Sequence, residues 1–94
     1  MALTTPYKPA PRRITLAAGI AQAVYAPKAC NKVLIGNASP DDLRVYEDPN
    51  DAATYFVVAA GYEKVLEQLI PFNPAEPTFY LYGVQAGTAV LIWL

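Results

Sequence analysis

Turn signals limit the length of every element this chain can build. From residue 13 to residue 94, short apolar runs alternate with glycine, proline, asparagine and aspartate at close intervals. Proline removes a backbone donor, glycine supplies positive φ, and Asn and Asp side chains bond their own backbone. The runs cover residues 13–18, 20–26, 32–36, 43–47, 54–59, 78–84 and 88–94. Such lengths suit strands and fall short of an average helix of about 11 residues.

Residues 63–70 carry two competing patterns. Val65, Leu66, Leu69 and Ile70 fall at helical spacing, among good helix formers. A run this short before Pro71 makes barely two turns, which have little stability of their own. The strand rhythm on both sides favours an edge strand. Seven or eight short strands then predict an all-β chain, an antiparallel β-sandwich of jelly-roll type. In the last pair, 78–84 and 88–94, the intervening Gln85, Ala86 and Gly87 predict a hairpin with Gly87 at positive φ.

The first 12 residues are of another kind. Pro6, Pro9 and Pro11 exclude both a helix and a central strand, so residues 1–12 should form an extended, polyproline-like arm ahead of one domain, 13–94. Tyr7 gives the arm an apolar anchor, and Arg12 and Arg13, beside Lys8, give it charge for a partner surface.

The chain has 94 residues, enough for one domain, and a domain of that size buries only about two-thirds of its unfolded surface. Its large relative surface calls for polar residues. Yet 54% of the chain is apolar and only 16% charged, against an ordinary charged share of about 25%. Neighbouring subunits covering part of the surface would reconcile the two. With seven basic and eight acidic residues and no basic run beyond Arg12-Arg13, no nucleic-acid footprint is expected. The single cysteine, Cys30, cannot form an internal disulfide and fits a reducing compartment as a small apolar side chain. No signal-peptide layout opens the chain, and the apolar run 89–94 is too short to span a bilayer, so a soluble protein is expected.

Strand faces locate where such cover would fall. Along 88–94, Val90, Ile92 and Leu94 alternate with Ala89, Leu91 and Trp93; along 78–84, Phe79 and Leu81 alternate with Tyr80, Tyr82 and Val84. Both strands are apolar on both sides, whereas a half-exposed antiparallel strand alternates with polar residues. Tyr80, Tyr82 and Trp93 are therefore the expected contact residues of an aromatic outer face, together with Tyr7 and Arg12 of the arm and Arg13 next to it. The same three aromatics would serve a carbohydrate-binding module as a stacking platform.

Catalytic chemistry finds little to work with. Histidine is absent, which removes the commonest general base and metal ligand, and Ser39, the only serine, sits before Pro40 without elbow glycines. The acidic cluster Asp41, Asp42, Glu47, Asp48 and Asp51 brackets one strand. Its Asp48–Asn50 spacing resembles the start of a calcium loop, but Ala52, Ala53 and Thr54 break it, and turn chemistry explains it better. Glu63, Glu67 and Glu76 gain no support as a hydrolytic pair. The expectation is a non-enzyme without cofactor or metal.

Residues 33–94 also resemble the small β-sandwich proteins of tailed-bacteriophage virions, notably head decoration, or cement, proteins. The resemblance rests on Val33-Leu-Ile-Gly-Asn-Ala-Ser-Pro, Leu43-Arg-Val-Tyr, Tyr55-Phe-Val-Val-Ala-Ala-Gly, Thr78-Phe-Tyr-Leu-Tyr-Gly and Gly87-Thr-Ala-Val-Leu-Ile. It implies a homotrimer, assembled in the host cytoplasm, that binds the major capsid protein on the virion surface and braces the head. Head fibres, tails and baseplates contain similar sandwiches. The resemblance implies no catalytic residues; the charge pattern and the short apolar runs are what predict no direct contact with nucleic acid and no membrane.

Overall fold

The computed structural model describes residues 11–48 and 50–94. Tyr7 and most of the expected arm lie outside the described residues. Eight strands follow one another: β1 (Arg12–Leu16), β2 (Gln22–Tyr25), β3 (Lys32–Asn37), β4 (Leu43–Tyr46), β5 (Phe56–Val58), β6 (Glu63–Glu67), β7 (Pro77–Gly83) and β8 (Gly87–Trp93). They form two antiparallel four-stranded sheets, ordered β1-β8-β3-β6 and β2-β7-β4-β5. The chain is all-β, and the two sheets make a β-sandwich.

Alternation produces the core. On the two central strands Phe79 and Leu81 of β7 and Ala89, Leu91 and Trp93 of β8 are buried, joined by Val33 and Ile35 of β3 and Leu43 and Val45 of β4. Period 2 sends each of these to the same side of its strand. Full burial of a Val, Leu, Ile or Phe side chain contributes about 1.5–3 kcal/mol, so this shared layer is what holds the sheets together.

The expected hairpin between 78–84 and 88–94 does not form. β7 pairs with β2 and β4, while β8 pairs with β1 and β3, so residues 84–86 carry the chain from one sheet to the other. Among the described residues only β4 and β5 are consecutive strands that pair. Gly87 does not supply a positive φ either; Gly19 and Gly61 do, at 70° and 80°. Gly87 is needed for space, because a Cβ there would fall on the side chain of Ser39.

Other expectations shift by a residue or resolve. Arg12 belongs to β1, opposite Leu91, so the first strand begins one residue before the 13–18 run. The 54–59 run shortens to β5. Residues 63–70 become an edge strand and a bend, with Leu66 half-buried against the core and Leu69 and Ile70 exposed. The helix alternative for this segment fails: four apolar residues at helical spacing would need one common apolar surface to face, and the sandwich gives only Leu66 an inward place.

Side-chain clamps close both ends. Asn37, nearly fully buried, donates from Nδ2 to the carbonyls of Asp41 and Val58, both at 2.8 Å, and accepts the Ser39 N–H at Oδ1, also 2.8 Å. Ser39 Oγ in turn accepts the Thr88 N–H at 2.8 Å. Three connections are thereby tied at one end. At the other, Phe72 is buried edge-on to Trp93, 5.9 Å between ring centroids, and its N–H bonds the Cys30 carbonyl at 2.8 Å. Cys30 itself is buried and unpaired with any other cysteine.

Candidate functional site

The outer face of the β2-β7-β4-β5 sheet carries a cluster of one arginine and four tyrosines. The register puts Tyr46 opposite Tyr80 and Arg44 opposite Tyr82 across the β4–β7 pair. Directly opposite residues share a face, so all four point outward while Val45 and Leu81 point into the core. Tyr55, just before β5, completes the group.

Ring geometry defines the cluster. Tyr46 meets Tyr55 at a centroid distance of 5.0 Å, tilted by 47°, and meets Tyr82 edge-on at 6.3 Å. The Arg44 guanidinium lies over the Tyr55 ring at 4.9 Å and over the Tyr82 ring at 5.6 Å. Its hydrogen bond to Tyr46, with Tyr55 adding to it, holds the guanidinium in its charged form even more firmly than usual. Arg44 is half-buried, and cation–π contact is weak where solvent reaches the charge, so Arg44 mainly fixes the rings in place.

Three shallow grooves adjoin this cluster. One, of about 350 Å³, is lined by Tyr46, Tyr80 and Tyr82 with Ala21 and Ala52. A second, of about 580 Å³, runs past Arg44 and Tyr55 toward Asp41 and Asp42. A third, of about 290 Å³, lies between Tyr55 and the acidic turn bearing Glu47, Asp48 and Asp51. In that turn Asp48 Oδ1 accepts the Asn50 N–H at 2.9 Å and Asp51 Oδ1 the Ala53 N–H at 3.1 Å. Hydrogen bonds from the Thr54 side chain and the Ala53 N–H hold the Asp51 carboxyl below its ordinary range. Asp48 and Asp51 therefore do turn chemistry, as their residue type suggested. Among the described residues no three His, Cys, Asp or Glu side chains group closely enough to hold a metal ion.

The structure divides the expected contact residues. Tyr80 and Tyr82 stand half-buried on the outer face. Trp93 does not join them: it faces inward from the other sheet, 2% exposed, stacked on Phe79 at 5.9 Å and 22°. The platform of Tyr80, Tyr82 and Trp93 is thereby corrected, since β7 and β8 lie in different sheets and the Trp93 face of β8 is the core face. Arg12 and Arg13 are exposed on edge strand β1, away from the tyrosine cluster. Arg44, Tyr46 and Tyr55 went unassigned from sequence, although the apolar–polar alternation of Leu43-Arg-Val-Tyr already turned Arg44 and Tyr46 to one side.

The opposite outer face carries an apolar row. Val65, Leu34 and Ile92 lie in one row across β6, β3 and β8, bordered by the Lys32–Glu67 ion pair at 3.0 Å. Among the described residues no helix is long and apolar enough to cross a membrane. No family model matches the chain, and neither a curated protein nor a solved structure matches it significantly.

Proposed function

We propose that this chain is a non-enzymatic virion protein of a tailed bacteriophage, a head decoration protein that self-associates and binds the major capsid lattice. The observation that carries the reading is the Arg44–Tyr46–Tyr55–Tyr80–Tyr82 face. Tyrosine and arginine are the residues that anchor protein interfaces, and here they are pre-ordered by mutual contact on a rigid sheet. Pre-ordering matters because each rotamer-rich side chain frozen on binding costs about 0.5–1.5 kcal/mol.

The strand orders β1-β8-β3-β6 and β2-β7-β4-β5 support a jelly roll, in which the chain passes between the sheets at nearly every connection. The second apolar row, on the other outer face, offers a separate surface. One face can therefore serve copies of the chain and the other the capsid.

A carbohydrate-binding reading draws on the small groove between Tyr46, Tyr80 and Tyr82. It is the weaker of the two, because Tyr46 and Tyr82 meet edge-on and Arg44 covers two of the rings, which leaves no flat platform for a sugar.

Two measurements test the proposal. Size-exclusion chromatography with light scattering should give about three times the 10.2 kDa chain mass at micromolar concentration. Co-sedimentation with DNA-filled heads of the phage that encodes the chain should show saturable binding. A monomer that ignores those heads would end the reading.

A further inference from the structure

We propose that the tyrosine face is the dock for the proline-rich arm of a second copy, which lies across it as a polyproline II segment. The proposal rests on the self-association reading above and names the partner of that surface.

The arm has the residues for it. Pro6 and Pro9 are spaced by three, so in a helix of three residues per turn they fall on one side, with Pro11 extending the segment. Aromatic-lined grooves bind such segments because the ligand is already extended and loses little entropy. The rings of Tyr46, Tyr80 and Tyr82 line a groove of this kind.

Charge points the same way. Residues 1–13 carry Lys8, Arg12 and Arg13 and no acidic residue. Five of the chain's eight acidic residues flank the tyrosine face: Asp41 and Asp42 beside one groove, Glu47, Asp48 and Asp51 beside another. Lys8, between the prolines, can reach a carboxylate while the prolines contact rings.

Chain length assigns the donor. Pro9 stands three residues before Arg12, the first residue of β1, so it lies within about 10 Å of that point at ~3.3 Å per residue. β1 is an edge strand of the other sheet. Reaching the outer face from there means crossing the roughly 10 Å between sheets and passing strands about 4.8 Å apart. The arm of the same chain is too short to lay Pro6, Pro9 and Pro11 on this face; the arm of a neighbour is not.

The test uses the full chain. Equal amounts of ¹⁴N- and ¹⁵N-labelled protein are mixed at high micromolar concentration and treated with a zero-length carbodiimide, which couples an ammonium to a touching carboxylate. The expected result is Lys8 joined to Asp41, Asp42, Glu47, Asp48 or Asp51, with about half of the links in mixed-isotope pairs. Pro6→Ala with Pro9→Ala, both outside the eight strands, should lower the yield at least fivefold, as should Tyr46→Ala with Tyr80→Ala. Absence of these links, links only between like isotopes, or yields unmoved by either pair of substitutions would overturn the proposal. Head binding is read separately, so a chain that decorates heads without forming the links loses only this inference.

Discussion

Gly87 and Ser39 are packed so closely that any side chain on Gly87 would occupy the space of the Ser39 side chain. Ser39 Oγ also accepts the Thr88 N–H at 2.8 Å and donates to the Thr88 carbonyl at 3.1 Å. The contact joins the β3–β4 connection to the start of β8. Gly87→Ala should therefore destabilise the fold by about 1–3 kcal/mol through overpacking. Urea unfolding followed by far-UV circular dichroism measures this. Ser39→Gly in the Gly87→Ala background should recover part of the loss; strict additivity of the two changes would contradict the contact.

Asn37 should be among the least replaceable polar residues. Asn37→Ala orphans the Asp41 and Val58 carbonyls and the Ser39 N–H, at least one of them in the buried interior. A buried group left without its partner costs about 1–3 kcal/mol. A substitution that shifts the denaturation midpoint by no more than an exposed Asn→Ala control would show that the clamp holds nothing.

Trp93 reports on the core, and it is the only tryptophan. Its fluorescence should be blue relative to free tryptophan and protected from acrylamide until the protein unfolds. Trp93→Ala should cost about 3–5 kcal/mol, enough to threaten folding in a domain of this size. Ready quenching in the native state would return Trp93 to the surface.

Arg44 divides stability from assembly. Arg44→Ala should leave the urea midpoint nearly unchanged, since Arg44 is only half-buried and solvent weakens its cation–π contacts. The oligomer seen by light scattering should nevertheless weaken by an order of magnitude in dissociation constant, because the rings lose the group that orders them. An unchanged oligomer would place self-association on another face.

Asp51 sets an acid limit on its turn. Its carboxyl is held below the ordinary 3.8 first by the Thr54 side chain and then by the Ala53 N–H. A folded value below the unfolded one means stability that is present above pH 3.8 and lost as pH falls through the folded value. Carbon-detected NMR titration should place the Asp51 midpoint under 3.8, and Thr54→Ala should move it upward.

Much of this was legible in the sequence for one physical reason. A strand sends alternate side chains to opposite sides, so Phe79 and Leu81 were separable from Tyr80 and Tyr82, and Leu91 and Trp93 from Val90 and Ile92, before any partner was known. Turn residues marked the strand ends, because Gly, Pro, Asn and Asp act on their own backbone.

Which face was the inner one for β8, and which strand lay beside which, depended on contacts between residues far apart in the chain. Residues 84–86 suit a hairpin or a crossover equally well. In the crossover, β7 and β8 pair with other strands and turn their apolar faces inward from opposite sheets, where Phe79 stacks on Trp93. That choice put Trp93 in the core, gave Gly87 its crowded place under Ser39, and brought Arg44, Tyr46 and Tyr55 to the tyrosines of β7. Local sequence determined the strands and their two faces; only tertiary pairing decided that the tyrosines of β4 and β7, without Trp93, form the surface.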